Sequence, residues 1–183
     1  MEGHERIRLF AALVLPRETV ERLAAWQGRE LAGGHGARLV PPENLHVSLA
    51  FLGATRTSDV EGVVAVLRAA AAGAERPALT SLRYRETRIV GMVVLRDEGE
   101  RATRLAAEVG EGLERLGVYE RERRPWLPHV TVLRFRRPPG LSPAPPDLGR
   151  VSPSEVALYH SVLQPSGAQH VIVESVALDH PGG

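Results

Sequence analysis

Two histidines of this chain each stand two residues before a hydroxyl side chain, His46 before Ser48 and His129 before Thr131. Both pairs lie inside apolar runs, which is typical of β-strands. Because successive side chains of a strand point to opposite faces, residues i and i+2 share a face roughly 6 to 7 Å apart. The spacing therefore predicts that each imidazole stands beside its hydroxyl, while the residue between them is buried.

Two imidazoles that face one cleft can divide the work of acid and base. With an unperturbed pKa near ~6.5, one neutral imidazole can take a proton from water while its protonated partner gives one to a departing alkoxide. Ser48 and Thr131 can then donate hydrogen bonds to the non-bridging oxygens of a phosphate held between the histidines. Phosphoryl transfer requires largely this kind of positioning and charge stabilisation.

Composition limits the classes of protein that can carry this pair. The chain has 183 residues, of which 43% are hydrophobic, so we expect one globular domain over 1–183. Its net charge of +1 provides no global attraction for nucleic acid, so any RNA binding must be local. The absence of cysteine excludes disulfides, thiolate zinc sites and cysteine nucleophiles, and it fits a reducing cytoplasm. The apolar stretch 9–15 is too short to span a bilayer and predicts a strand.

The first half of the chain must position His46. Its pattern predicts a strand over 7–15, a helix over 17–31, a short strand over 37–40 and a turn over 41–44 that leads into the first histidine segment. A second helix should follow, with Ser58 and Glu61 as a capping box and Gly73 at its end. The residues expected on the inner faces of the two helices are Val20, Leu23, Ala24 and Leu31, then Val63, Val64 and Leu67.

The second half must position His129. We predict a strand pair over 78–84 and 89–95, a helix over 98–116 ended by Gly117, a proline-rich basic loop over 136–146 that forms a rim or lid, and a final hairpin. The hairpin strands are expected over 156–163 and 170–178, and the inward helical residues are Leu105, Val109, Leu113 and Leu116. Each half thus carries one strand with a histidine and a hydroxyl, which favours an α+β architecture of antiparallel sheets with outer helices.

The segments around both motifs resemble those of the 2H phosphoesterases, a superfamily defined by two His-x-Ser/Thr motifs. Within it they are most similar to the bacterial and archaeal RNA 2',3'-cyclic phosphodiesterases, also called 2'-5' RNA ligases. The similarity covers nearly the whole chain, and the matching segments are 8–13, 41–53, 124–134 and 158–161, followed by Pro165 and Gly167.

The resemblance implies a bilobal, pseudo-two-fold fold with one motif per lobe, lining a groove that opens a 2',3'-cyclic phosphate to a 2'-phosphomonoester. By motif position, His46 would protonate the leaving 3' oxygen and His129 would activate water. Phe51 would lie against the nucleobase and Arg134 on the phosphate side. Each of these two residues stands five positions beyond its histidine, so strict alternation would aim it away from the groove and a bulge or the strand end must redirect it. The reverse reaction would join RNA ends by a 2'-5' linkage.

The resemblance implies RNA ends or small cyclic nucleotides as substrates, and we also expect no metal, no cofactor, no membrane partner and a monomer. The residues themselves show no His-x-x-x-His spacing for a metal and no Gly-x-Ser-x-Gly elbow of a serine hydrolase. Two departures from the family pattern are Ser48, where threonine is commoner, and His160, where an acidic residue is frequent and to which no role is assigned. The alternative function is a binding module that holds a nucleotide or RNA end in the same groove without turnover.

Overall fold

The computed structural model describes residues 5–34 and 36–178, and within these ranges the chain forms eight strands and three α-helices. The strands are β1 (Arg6–Val14), β2 (Arg38–Leu39), β3 (His46–Arg56), β4 (Leu79–Glu86), β5 (Val90–Asp97), β6 (His129–Arg134), β7 (Glu155–Gln164) and β8 (Gly167–Ala177). The helices are α1 (Arg17–Glu30), α2 (Val60–Ala72) and α3 (Arg101–Leu116).

The strands form two four-stranded sheets in which every pairing is antiparallel. The first sheet has the order β3-β1-β7-β8 and the second β2-β6-β5-β4. Each sheet contains one histidine strand, β3 in the first and β6 in the second. The predicted α+β architecture, with two antiparallel sheets and helices packed outside them, is confirmed.

One hydrophobic core runs through both sheets and all three helices. It includes Leu13 and Val47 from the first sheet, Val130 from the second, and Leu67 and Leu113 from the packed helices α2 and α3. The valines and leucines between the site residues of the histidine strands belong to this core, so burial on one face holds the polar residues on the other. A smaller buried cluster lies on the opposite face of the first sheet and consists of Phe10, Ala12, Ala157 and Tyr159.

Two predicted helix details are wrong. Ser58 does not cap α2, because a single 3-10 turn over Thr57–Asp59 precedes the helix and no side chain bonds to its first amides. Leu116 is 41% exposed, because the buried stripe of α3 stops at Leu113, one turn before the helix ends. Gly117 ends α3 as expected, with a φ of 80° that favours glycine.

The inner face of α1 also differs from the predicted one. Leu23 and Leu31 are buried as expected, whereas Val20 and Ala24 are only partly buried. Trp26 and Gln27 are buried in their place. No helix within the described ranges has the length and apolar character that crossing a membrane requires.

Candidate active site

His46 begins β3 and is held by both of its ring nitrogens. Nδ1 lies 2.8 Å from the carbonyl oxygen of Asn44, and Nε2 lies 3.0 Å from the hydroxyl of Ser48. Since a carbonyl can only accept, Nδ1 carries a proton, and in the neutral ring Nε2 accepts the Ser48 O–H. The expected pairing of His46 with Ser48 on one face of the strand is therefore present.

His129 begins β6 in the same manner. Its Nδ1 donates to the carbonyl of Leu127 at 2.8 Å, again a residue two positions earlier in the chain. His129 and Thr131 are half-buried, whereas Val130 and Val132 are buried, so the histidine and the hydroxyl share a face here too. In both motifs the backbone orients the ring through Nδ1 and leaves Nε2 as the nitrogen that can exchange protons.

A bulge in β3 returns Phe51 to the face of His46. In the pairing with β1, Ser48 and Ala50 lie opposite consecutive residues, so Leu49 is the extra residue. Leu49 and Ala50 are both buried, and the alternation restarts one position later. Phe51 is 63% exposed, and its ring centroid lies 5.7 Å from that of Phe10, which also contacts His46.

The same irregularity occurs in β6. Thr131 and Leu133 lie opposite consecutive residues of β5, so Val132 is the extra residue and both Val132 and Leu133 are buried. Arg134 is consequently exposed on the face of His129 and Thr131. The bulge that the odd spacing required is thus found at the same place in both motifs.

Gln27 supports the bulge in β6 and was missed by the sequence analysis. Its side-chain amide donates to the carbonyl of Val132 at 2.7 Å and to that of Val40 at 3.0 Å. The Val40 amide donates to the same Val132 carbonyl at 3.0 Å. The sequence did contain a signal for this role. A glutamine within the apolar stripe of an amphipathic helix is expected to be buried, and a buried amide must find hydrogen-bond partners.

An aromatic cluster underlies the first motif. The rings of Phe10 and Tyr159 are stacked with centroids 4.9 Å apart, and the imidazole of His46 lies 4.8 Å from Phe10 and 5.9 Å from Tyr159. This packing restricts the imidazole, and it removes water from one side of the ring.

A third histidine, His170 of β8, lies beside the site. Its ring is edge-on to His46 at 5.6 Å and to Phe10 at 4.8 Å. Its Nδ1 is buried and has no hydrogen-bond partner among the described residues. The start of β8 is attached to the first motif, since the Asn44 side chain donates to the Ala168 carbonyl at 2.9 Å. The hairpin pattern located this residue on a strand, but its approach to His46 depends on the order of strands in the sheet.

Burial is the main reason why the pKa of His46 is lowered to about 4. The nearby charges of His170, Arg134 and His129 lower it further, whereas the bond to the Asn44 carbonyl raises it. Burial and Arg134 also lower the pKa of His170. Three basic groups from the two sheets therefore act on His46, and together with burial they favour its neutral form.

Trp126 connects the two motifs directly. Its indole N–H donates to the backbone carbonyl of Ser48 at 3.0 Å, although the two residues are 78 positions apart. Trp126 precedes β6, so the bond joins the approach to the second motif with the strand of the first.

The proline-rich loop 136–146 lies along the second sheet and is held in place. The carboxylate of Glu86 accepts the amides of Gly140 at 3.0 Å and Leu141 at 2.9 Å. Farther along, the Trp26 indole donates to the Ala144 carbonyl at 2.9 Å. These bonds attach the loop to β4 and α1, and its role as a rim or lid stays a prediction.

Within 5–34 and 36–178, no group of three or more histidine and carboxylate side chains is placed to hold a metal ion. His160 is on β7 next to Tyr159, and alternation directs it to the opposite face from that ring.

The chain is similar to known phosphoesterases. The family model described as LigT like Phosphoesterase matches residues 13–83. An RNA 2',3'-cyclic phosphodiesterase of Thermus thermophilus is 30% identical over 182 residues, which cover 94% of this chain and 90% of that protein.

Solved structures agree in fold. A crystal structure of a Thermus thermophilus protein superimposes with a TM-score of 0.80 at 26% identity, covering 95% of this chain and 99% of the other. Escherichia coli LigT complexed with NADP+ superimposes with a TM-score of 0.78 at 25% identity, covering 95% and 98%.

Proposed function

The chain belongs to the LigT-like 2H phosphoesterases and is a cyclic phosphodiesterase, and from this premise we propose that it hydrolyses 2',3'-cyclic phosphates at RNA ends to 2'-phosphomonoesters. One observation carries the proposal. His46 and His129 are held identically, each by an Nδ1–H bond to the carbonyl two residues before it, and each shares a strand face with a hydroxyl. A binding site could dispense with either imidazole, whereas acid–base catalysis requires two.

The reaction needs one proton removed and one supplied. In this proposal His129 takes a proton from water, the water oxygen bonds to phosphorus, and the bond from phosphorus to the 3' oxygen breaks. His46 gives its Nε2 proton to that departing oxygen. Ser48 and Thr131 donate to the non-bridging oxygens, and the Arg134 guanidinium offsets the negative charge that builds on the phosphate. No step requires a metal ion.

The hydroxyl of Ser48 links the protonation of His46 to phosphate binding. In the neutral site this hydroxyl donates to Nε2 at 3.0 Å. Once Nε2 is protonated it can no longer accept, so the Ser48 O–H becomes free to donate to the phosphate. A bound anion also favours the charged imidazole, which opposes the burial and the neighbouring cations that lower the pKa of His46 in the free protein. Substrate binding would thus place the proton on the acid.

The two residues that the bulges redirect would hold the rest of the substrate. Phe51 exposes its ring beside His46 and can stack on a base, while Arg134 is exposed beside His129. The reverse reaction would replace water by the 5' hydroxyl of a second RNA end. It needs no nucleotide cofactor, because the strained cyclic phosphate supplies the energy. We place the enzyme in the cytoplasm, in agreement with its cysteine-free composition, and we expect a monomer.

The test is incubation of the purified protein, in EDTA, with an oligonucleotide that ends in a 2',3'-cyclic phosphate, followed by identification of the product. We expect a 2'-phosphate from the wild type. His46→Ala and His129→Ala should each lower turnover by roughly 10²-fold to 10⁴-fold. His160→Ala is the matched control, because it removes a histidine from the other face of the same sheet.

Binding of this oligonucleotide without turnover would instead support a nucleotide-binding module. Activity that appears only after zinc or manganese is added would contradict the metal-independent mechanism.

A further inference from the structure

A basic cavity lies beside the site on the second sheet. Its volume is about 290 Å³, and it is lined by Gly36, Arg38, Arg134, Phe135 and Arg136. Arg134 belongs both to this cavity and to the reaction centre, where its charge acts on His46. Arg134 is therefore the residue that connects the cavity to the reaction centre.

The arginines of the cavity lie where their positive charges repel one another. Arg38 of β2 lies directly opposite Arg134 of β6 in the antiparallel pairing. Like charges at directly opposed positions of neighbouring strands destabilise a sheet. Arg136 adds a third exposed guanidinium two residues beyond Arg134. Such an arrangement becomes favourable when an anion lies between the cations.

No carboxylate of the described residues supplies that anion. Across 5–34 and 36–178, ion pairs connect eight other arginines to glutamates, but none involves Arg38, Arg134 or Arg136. The cavity lining contains no acidic side chain either. Guanidinium groups present paired donors that match phosphate oxygens, so phosphate is the anion that this chemistry fits.

We propose that the cavity binds the phosphodiester on the 5' side of the terminal nucleotide, so that Arg38 and Arg136 determine the preference for a chain over a free cyclic mononucleotide. This inference rests on the proposed function. The exposed ring of Phe51 is on the first sheet, whereas Arg38 and Arg134 are on the second and Arg136 follows its strand β6. The terminal base and the sugar-phosphate chain would therefore lie against different sheets, with the cyclic phosphate between the histidines.

The test compares a 2',3'-cyclic mononucleotide without a 5' phosphate, the same compound with a 5' phosphate, and a dinucleotide that ends in the cyclic phosphate. We expect kcat/KM to be roughly tenfold or more higher for the dinucleotide, since a charged hydrogen bond to phosphate contributes on that order. Arg38→Ala and Arg136→Ala should each remove most of this difference in kcat/KM. Neither variant should change kcat/KM for the mononucleotide without a 5' phosphate. High salt should reduce the advantage as well.

Arg115→Ala is the matched control, since Arg115 is exposed on the outer helix α3. Equal kcat/KM values for the mononucleotide and the dinucleotide would overturn the inference, as would Arg38→Ala and Arg136→Ala variants that retain the full dinucleotide advantage. If the 5'-phosphorylated mononucleotide had the same kcat/KM as the dinucleotide, the ligand of the cavity would be a terminal phosphate and not an RNA chain, and the inference would be overturned.

Binding measurements keep this inference separate from the proposed function. The affinity for a dinucleotide that ends in a 2'-phosphate is compared with that for a nucleoside 2'-phosphate, in the wild type and in Arg136→Ala. Tighter dinucleotide binding that depends on Arg136 would support the cavity even if no cyclic phosphate were hydrolysed. Hydrolysis of both cyclic substrates with no such dependence would support the proposed function and reject the cavity.

Discussion

The indole nitrogen of Trp126 lies 3.0 Å from the carbonyl oxygen of Ser48, and this hydrogen bond joins the approach to one histidine motif with the strand of the other. Ser48 is the residue whose hydroxyl contacts Nε2 of His46. A single donor from the second motif thus restrains the backbone that positions the catalytic groups proposed for the first. Cooperation of the two histidines depends on such restraints between the sheets, because a small displacement of reacting groups costs much of the rate.

Trp126→Phe removes this donor and retains most of the ring. We expect a loss of about 1 kcal/mol in the free energy of unfolding, with a fall in kcat of roughly tenfold. Urea denaturation and steady-state kinetics measure the two effects. Trp26→Phe is the matched control, because it removes an equivalent bond to the Ala144 carbonyl away from the histidines. Equal effects of both variants on kcat would argue against alignment of the motifs by Trp126.

Phe51→Ala tests the exposed aromatic ring. Stacking of a base on an aromatic side chain contributes about 1–3 kcal/mol, so KM should rise by roughly fivefold to a hundredfold with little change in kcat. Stability should change little, since the side chain is 63% exposed. Val171→Ala is a suitable control, because Val171 is 47% exposed and follows His170, so alternation points it to the other face. A fall in kcat at constant KM would show that Phe51 acts instead through its contact with Phe10.

The pKa of about 4 for His46 predicts a pH dependence of stability. The pKa of His46 is lower in the folded protein than the ~6.5 of an unfolded chain. At pH values between these two pKa values, the unfolded state therefore binds more protons than the folded state. The contribution is therefore fully present above about pH 6.5 and is lost as the pH falls from there through 4, and the loss totals roughly 3 kcal/mol. Urea denaturation at several pH values should show this loss in the wild type and a smaller one in His46→Gln, in which the lowered pKa of His170 still contributes.

The same histidine tests the coupling to phosphate binding. In a proton NMR titration, the midpoint of the His46 imidazole should lie near 4 in the free protein and rise when a nucleoside 2'-phosphate is bound. A midpoint that the ligand leaves unchanged would contradict the role of His46 as the acid that is protonated in the complex.

Gln27→Met keeps the size of a buried side chain and removes the amide that bonds to Val40 and Val132. We expect a loss of roughly 1–3 kcal/mol, because the Val40 carbonyl would lose a buried donor. The variant should also lower kcat/KM by displacing the bulge that directs Arg134. A double-mutant cycle with Arg134→Ala measures this link, and strictly additive effects would show that Gln27 acts on stability alone.

Sequence reasoning succeeded where the relevant interactions are local. The pairing of His46 with Ser48 and of His129 with Thr131 follows from strand alternation, which depends only on neighbouring residues. The odd spacing to Phe51 and Arg134 indicated that a bulge was needed, although its position, at Leu49 and at Val132, became known only from the pairing partners. The capping box at Ser58 failed because a 3-10 turn competes with it at the start of α2.

The residues that sequence reasoning missed all act over long separations. Gln27 reaches Val132 from 105 positions away and Trp126 reaches Ser48 from 78. His170 and His46 are on the two edge strands of the first sheet, and the ring of Phe10 on the middle strand β1 contacts both imidazoles.

The sequence by itself determined the types and local orientation of the reacting groups and the α+β class, because alternation and helical periodicity are properties of short segments. Only the tertiary structure decided how the two halves meet, which residues restrain the motifs, and that Arg38 lies opposite Arg134 beside a cavity. These features depend on the order and register of strands far apart in the chain, and that order is set by the collective packing of one core, which no single segment encodes.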